Sequence, residues 1–440
     1  MSTKLTGYLM NNLHIYPSAF KYESRILKET KTLVDSGLFE KIFIAAIWEK
    51  GLKVYEKLDS KREVWRIPLK TSKLHPHLLP PQPPHLLSSP LGGEEGKERG
   101  RNEDGGFFWK VLKHLEWMTR IFLRYRRKSI KFINCHTLSS LPLGVLFKIF
   151  AKSKLIYDAH ELETEKEGWV GLRRVIAKIL ERILIAYADS VIVVSDSIGK
   201  WYKNQYHLKE INVIKNVPYR ETRISRDSNV LLSGISKFPP TYLLPPRGED
   251  GGERYNLKER FKIENDEILF IYQGVLGSGR GIKILLNAFS KIEEKKHIVF
   301  MGYGVLEDMV KEYENNFSNI HFHPAVKPEE VMNYTKSADV GIHLLENTCL
   351  SYYYSLPNKV FEYIFSGLPL IVTNFPDMGK LIDDYQCGWK VSVDEKSVVD
   401  LIEHISKEDI KEKRNNAINC RDNFGWDKEE EKLLKLYGQY

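Results

Sequence analysis

Cysteine is scarce in this 440-residue chain, which has four (Cys135, Cys349, Cys387 and Cys420) and no CxxC pair. Such spacing argues against a cysteine zinc site and against a disulfide framework. No uncharged apolar run reaches the ~18 residues that a membrane-spanning helix needs. The amino terminus also lacks the basic segment followed by an apolar segment that is typical of a signal peptide. We therefore expect a protein of the cytoplasm without transmembrane helices.

The chain also lacks a helix-turn-helix, zinc-finger or RNA-binding signature, so charge is the only argument for a nucleic-acid partner. Its net charge of +8 is uneven, because residues 1–220 hold 38 Lys and Arg against 23 Asp and Glu, whereas the remainder holds 28 against 35. A basic first half attracts anions such as acidic lipid or a phosphorylated substrate. A nucleic-acid-binding protein is a remote alternative, and we predict no nucleic-acid partner.

Two segments rich in Pro, Gly and charge, 73–106 and 224–254, show neither a helical nor a strand period. They share LLPP and GE-rich stretches, so we interpret them as two copies of one inserted element, with unrelated linkers as the alternative. Elsewhere short apolar runs alternate with amphipathic helices, which predicts two doubly wound α/β domains. We assign 1–217 to the first domain, 218–260 to a linker and 261–440 to the second domain.

The first strand is predicted at 4–10, and a strand at 268–273 runs into a turn with three functional candidates, Gly274, Gly279 and Gly281. Ligands of doubly wound sheets bind at the carboxyl ends of strands. Arg280 lies within this turn, and a helix follows. Backbone N–H groups, a helix amino terminus and an arginine suit a phosphate. A tight turn with a surface arginine is the alternative.

Pro357 can start a second helix whose first turn holds Asn358 and Lys359. Glu362 follows Lys359 by three positions, so both side chains project from one face. A helix amino terminus with a lysine suits a diphosphate, and a carboxylate one turn later can accept hydrogen bonds from ribose hydroxyls. The alternative is a solvated Lys–Glu pair.

In the first half His136 and His160 each follow a predicted strand, and Glu161 is next to His160. Binding groups collect at such strand ends, although structural or surface histidines are the alternative. His321 and His323 alternate on a later strand without an acidic or thiol partner nearby in the sequence, so we predict no metal site there.

Basic amphipathic helices are predicted at 107–131, with eight Lys and Arg against one acidic residue, and at 169–188. Helices of this kind dock on anionic membrane surfaces. The alternative is that the apolar faces cover the sheet and the basic faces are solvated.

Together these segments resemble the retaining glycosyltransferases of the GT-B fold, particularly family 4. The resemblance rests on INCHTLSSLPLG and YDAHELE in the first half, and on YQGVLGSGRGIKILLNAF and LPNKVFEYIFSGLPLIVTN in the second. It implies two doubly wound Rossmann-like domains facing a central cleft, with a nucleotide-sugar donor on the second and a glycan or lipid-linked acceptor on the first. The implied reaction is metal-independent and retaining, serves bacterial surface glycan synthesis, and needs no cofactor.

The resemblance also implies roles for single residues. Arg280 and Lys359 would act on the donor diphosphate, Glu362 would bind the ribose, and His136 would lie near the transferred sugar. We count His136, Arg280 and Lys359 as catalytic, with His160 and Glu161 on the acceptor side.

Two positions depart from the family pattern. Tyr354 stands where the first Glu of the family's E-x7-E motif would fall, and Val275 stands where an Arg often follows the first glycine of the turn. These departures, together with the two insertions, keep open a non-catalytic sugar-nucleotide-binding relative. A nucleotide-sugar 2-epimerase, which can share the same fold and donor site, is a further alternative.

Overall fold

The computed structural model divides the chain into two units, Met1–Lys215 with Glu430–Tyr440, and Asn216–Glu429. It describes residues 10–21, 23–71, 103–220, 255–292 and 295–440, with the backbone alone for 103–107. Residues Glu430–Tyr440, which the sequence places in the second domain, belong to the first unit. There the hydroxyl of Tyr437 donates to Asn134 Oδ1 (2.8 Å).

The two predicted insertions, 73–106 and 224–254, lie outside the described residues except for 103–106. Those four residues begin helix α2, so the first insertion ends earlier than predicted. Residues 103–106 carry no large apolar side chain, so no apolar period marks them as helical in the sequence.

An eight-stranded sheet forms the centre of the first unit, in the order β3-β4-β2-β1-β5-β6-β7-β8. Its strands are β1 Met10–Ile15, β2 Phe39–Ile47, β3 Tyr55–Lys57, β4 Arg62–Ile67, β5 Ile130–Cys135, β6 Lys154–Ala159, β7 Ser190–Val193 and β8 Asn212–Val213. Among the strand pairs that the structure describes in this sheet, β3–β4 is antiparallel and the others are parallel. Its helices are α1 Ser24–Asp35, α2 Glu103–Tyr125, α3 Leu141–Ala151, α4 Gly171–Ile185 and α5 Asp196–Tyr206.

The first strand, predicted at 4–10, continues to Ile15 in the structure, where β1 is Met10–Ile15; residues 4–9 lie outside the described part. Asn12 and His14 interrupt the apolar pattern of this segment, yet both are buried. Asn134 of the neighbouring strand β5 donates to both of them through Nδ2 (2.9 Å each). Asn12 and His14 can thus lie in a central strand because Asn134, more than a hundred residues away in the chain, forms hydrogen bonds with them.

The second unit has a six-stranded parallel sheet in the order β11-β10-β9-β12-β13-β14. Its strands are β9 Ile268–Val275, β10 Lys296–Tyr303, β11 Ile320–Pro324, β12 Val340–His343, β13 Leu370–Thr373 and β14 Gly388–Val391. Its helices are α6 Leu257–Arg260, α7 Ile282–Phe289, α8 Glu307–Asn316, α9 Val331–Thr335, α10 Leu350–Tyr353, α11 Asn358–Phe365, α12 Pro376–Tyr385, α13 Glu395–His404 and α14 Lys407–Cys420; α15 Trp426–Tyr437 begins in this unit.

Both sheets reverse their strand order at one point, between β1 and β5 in the first unit and between β9 and β12 in the second. In open α/β sheets, ligands bind beyond the carboxyl ends of the strands at this switch point. The residues that follow these four strands are therefore where a site is expected in each unit.

Candidate functional site

The turn after β9 brings bare backbone next to a lysine. Gly274, Gly279 and Gly281 have φ angles of +118°, +73° and +67°, which favour glycine. A Cβ atom on Gly274 would lie 2.6 Å from Nζ of Lys359. Gly281 directly precedes α7, so the turn leads into a helix amino terminus. The predicted combination of glycine turn, helix end and cation is present in one place.

Lys359 lies in the first turn of α11, directly after Asn358, with Pro357 as the residue before the helix. Its side chain is half-buried, but its Nζ atom is buried and has no hydrogen-bond partner among the described residues. Burial, and then the charge of Arg280, lower the pKa of Lys359 to about 7. Arg280 is half-buried, and its Cζ lies 5.9 Å from the ring of Tyr352. The charges of Lys359 and Arg280 therefore act on each other, and no carboxylate is bonded to either group in the described chain.

Helix α11 is fixed against the strand ends by Tyr363, whose hydroxyl donates to Ile342 O (3.2 Å) and accepts from Gln273 N (3.1 Å). A Cβ atom on Gly341 would lie 2.4 Å from Cγ of Tyr363, so only glycine lets this ring lie on β12. Glu362, the residue before Tyr363, accepts a hydrogen bond from Gln273 Nε2 (2.6 Å). Lys359 and Glu362 are thus held one turn apart, as predicted.

His343, the last residue of β12, was not predicted from the sequence. Its ring is completely buried, and within the described chain neither ring nitrogen has a hydrogen-bond partner. Burial, followed by the charges of Lys359 and Arg280, holds the pKa of His343 well below its usual value. Its place at the carboxyl end of a predicted strand, beside the switch point, is the signal that could have found it.

Glu346 was missed as well. Its backbone N donates to Gly279 O (2.9 Å), and its Oε1 accepts from Gly281 N (3.2 Å). This carboxylate therefore occupies one N–H group of the turn and holds the loop after β12 against it.

In the first unit, the predicted residue His136 lies in a buried polar network at the end of β5. Its Nε2 is 2.9 Å from His14 Nδ1, and its Nδ1 is 2.9 Å from Asp158 Oδ2. His160 Nε2 is 3.1 Å from the same carboxylate oxygen. Arg25 bonds both oxygens of Asp158, at 3.0 Å from Nε and 2.7 Å from Nη2. His14 and Arg25 were not predicted.

Electrostatics keep this network in one protonation state. Burial lowers the pKa of His136 to about 4, although Asp158 opposes the shift. Burial disfavours an ionised Asp158, but Arg25 and the two histidines hold the pKa of that carboxyl well below its usual range. The network therefore contains neutral His136 and an Arg25–Asp158 ion pair.

The ligand atoms of His136, Asp158 and His160 lie within 4.8 Å of one another, which is close enough to hold a metal ion. Arg25 already neutralises the carboxylate in this group, so the residues make a complete set of contacts by themselves. The absence of a metal stays a prediction. Glu161, predicted beside His160, is paired with Lys166 Nζ instead (3.1 Å).

Residues 253–421 match the family described as Glycosyl transferases group 1. The match contains the glycine turn, His343, Lys359 and Glu362. The second unit is thus similar to a group 1 glycosyltransferase domain. This confirms the resemblance to group 1 glycosyltransferases, whereas assignment to family 4 stays a prediction.

Solved structures extend this similarity to the whole chain. Sucrose-phosphate synthase from Thermosynechococcus elongatus is 14% identical, with a TM-score of 0.66 over 98% of each chain. Anabaena HepE, solved in complex with UDP and glucose, is 13% identical, with a TM-score of 0.65 over 98% of this chain and 100% of its own. The chain thus has a GT-B type α/β fold, as predicted.

A curated relative of this chain is the chitobiosyldiphosphodolichol beta-mannosyltransferase of Kluyveromyces lactis. The two are 23% identical over 304 residues. The match covers 65% of this chain and 65% of the relative, so the chain spans slightly less than two thirds of that protein's length.

Proposed function

We propose that this protein is a glycosyltransferase, which moves a sugar from a nucleotide-sugar donor on its second unit to an acceptor recognised by its first unit. The observation that carries the proposal is the buried Nζ of Lys359, which has no partner in the described chain and lies beside Arg280 and the glycine turn. An ammonium in this state is stabilised by an anion that supplies the missing contacts.

The chemistry needs such a site. When the sugar–phosphate bond breaks, the leaving nucleoside diphosphate gains negative charge while the anomeric carbon becomes cationic. Arg280, Lys359 and the helix amino terminus after Gly281 stabilise that leaving group, and Glu362 accepts hydrogen bonds from the ribose. HepE, a neighbour in fold, was solved with UDP and glucose, which supports a nucleoside-diphosphate sugar as donor.

The reaction proceeds without a metal ion, because two cations and a helix end already face the diphosphate, and it retains the anomeric configuration. In a retaining transfer, the acceptor hydroxyl attacks from the face that the leaving group departs. The curated relative is named for a beta linkage, so NMR of the product's anomeric proton is the decisive measurement. An inverted product would overturn retention and leave the transferase proposal intact.

The acceptor is a lipid-linked or polysaccharide glycan of a bacterial surface, reached at the inner face of the membrane. None of the described helices is long and apolar enough to cross a membrane. However, α4 turns one apolar face outward: Leu172, Val175, Ile176, Ile179, Leu180 and Ile183 are all exposed. Helix α3 packs between α2 and α4 and exposes Phe150 (70%). An outward apolar face on a basic helix suits an anionic membrane surface.

The donor site is tested by thermal-shift titration of the full chain with UDP, GDP, ADP and their sugar conjugates, with and without EDTA. A ligand at a hundred times its dissociation constant adds about 2.7 kcal/mol of stability. We expect one base series to stabilise the protein equally in EDTA. If no series does, the donor site is absent. Conversion of the bound nucleotide sugar without any acceptor would instead favour the 2-epimerase.

The membrane surface is tested by flotation with phosphatidylcholine vesicles, with and without phosphatidylglycerol. We expect binding only to the anionic vesicles, weakened by salt. The triple change Ile176→Ser, Ile179→Ser and Ile183→Ser should abolish it. Val305→Ser, at an exposed apolar position of the second unit (77%), is the matched control. Equal flotation of the triple variant would exclude α4 as the membrane contact.

A further inference from the structure

His343 is the most isolated polar side chain near the switch point of the second sheet. Its ring is 0% exposed, and within the described chain neither nitrogen has a hydrogen-bond partner. A neutral imidazole carries one donor and one acceptor, and both are costly to bury unpaired. Native proteins keep few such groups, and those that remain call for a ligand or a chemical role.

The charged groups that act on His343 are both cations. After burial itself, the charges of Lys359 on α11 and of Arg280 in the turn before α7 lower the pKa of His343. The charge of Arg280 lowers the pKa of Lys359, and the carboxylate of Glu362 on the same helix raises it. Nζ of Lys359 lies 4.8 Å from the ring centroid of Tyr272 on β9. Glu362 is the only carboxylate among these groups, and Gln273 Nε2 already donates to it. The described residues therefore leave a cationic site short of negative charge.

We propose that His343 binds the diphosphate of the sugar nucleotide together with Lys359 and Arg280, and that the site takes up protons from solution as this ligand binds. The proposal rests on the proposed function and adds to it a third phosphate-binding residue and a coupling between donor binding and pH.

The protonation of the ligand-free site decides whether donor affinity rises or falls with pH. His343 is neutral there, and the pKa of Lys359 is about 7, so a large part of its amine is unprotonated at pH 7.5. The two negative charges of the diphosphate favour the protonated forms. Donor affinity is therefore highest at acidic pH and falls as pH rises through 7, by about tenfold per pH unit for each proton taken up.

The experiment is titration calorimetry on the full chain at pH 7.5 with UDP-glucose, GDP-mannose and ADP-glucose. Their phosphates are diesters that do not titrate near neutrality, so every proton counted belongs to the protein. Repeating the titration in buffers of different ionisation enthalpy gives the number of protons taken up. We expect about one to two for the wild type. His343→Gln should take up fewer and bind at least about tenfold more weakly.

The matched control is His321→Gln, because His321 is also a buried strand histidine of the second unit but bonds His297 Nδ1 (3.1 Å). It should match the wild type in affinity and proton uptake. Equal affinity and uptake in His343→Gln would remove His343 from the site. Should His343→Gln fail to fold, the pH dependence of wild-type affinity decides the coupling, and a pH-independent affinity overturns it. A wild type that binds no sugar nucleotide would overturn the proposed function itself.

Discussion

The two units have sheets with the same order around their switch points, yet they treat the polar side chains there in opposite ways. In the first unit a continuous set of close contacts joins Asn12, His14, Asn134, His136, Asp158 and Arg25. In the second unit, Nζ of Lys359 and both ring nitrogens of His343 have no hydrogen-bond partner in the described chain.

This difference separates two kinds of buried polar group. A paired network satisfies itself and holds its side chains in place without a ligand. Unpaired groups lower the stability of the free protein, and the protein becomes more stable when a ligand forms hydrogen bonds with them. The first unit therefore holds His136 and His160 in a preformed arrangement, whereas Lys359 and His343 of the second unit stay without hydrogen-bond partners in the described chain.

Arg25→Met breaks the paired network and has the largest expected effect. It leaves the ionised Asp158 buried without its partner, which costs about 3–5 kcal/mol of unfolding free energy. Urea unfolding measures this loss. Lys21→Met, which removes the more exposed Lys21–Glu49 pair (2.6 Å), should cost less than about 1 kcal/mol. Equal losses in the two variants would show that the network is not held by this ion pair.

Lys359→Met removes the unpaired ammonium group of the second unit. Because no hydrogen bond is lost, we expect the nucleotide-free protein to unfold at the same or a higher temperature. Turnover should fall by about 10²–10³-fold, since the leaving diphosphate loses a cation. Lys390→Met, on the surface beside Asp383, controls for loss of charge. A variant that loses stability along with turnover would mean that Lys359 is paired in the free protein.

The neutral state of His136 makes the first unit sensitive to acid. Its pKa is about 4 when folded and about 6.5 when unfolded, so only the unfolded chain gains a proton between these values. Unfolding free energy should therefore fall as pH drops from 6.5 to 4, by about 3 kcal/mol from this group. His136→Gln, measured by urea unfolding across this range, should show a shallower fall. An unchanged slope would assign the acid sensitivity to other histidines.

Glu346→Ala has the smallest expected effect. It removes the carboxylate that accepts from Gly281 N, a contact that resembles a helix cap and contributes about 1 kcal/mol. The unfolding temperature should drop slightly, while the freed N–H group leaves sugar-nucleotide affinity within about threefold. A large loss of affinity, measured by calorimetry, would place Glu346 in direct contact with the ligand.

The sequence predicts those features whose residues lie close together along the chain. The glycine turn, Arg280, Lys359 and Glu362 follow from spacing along one strand and one helix, and the strands of the second unit are apolar runs that need no outside information. His14 and Arg25 were missed because their partners, Asn134 and Asp158, come from distant strands. His343 was missed because the absence of a partner is a property of the packed protein alone.

The membership of Glu430–Tyr440 in the first unit has a consequence for biosynthesis. Asn134 needs the Tyr437 hydroxyl, yet the ribosome makes Tyr437 only after the whole second unit has been synthesised. The second unit can therefore complete its sheet on the ribosome, whereas the first must wait, with its polar centre unfinished, for a segment made more than two hundred residues later.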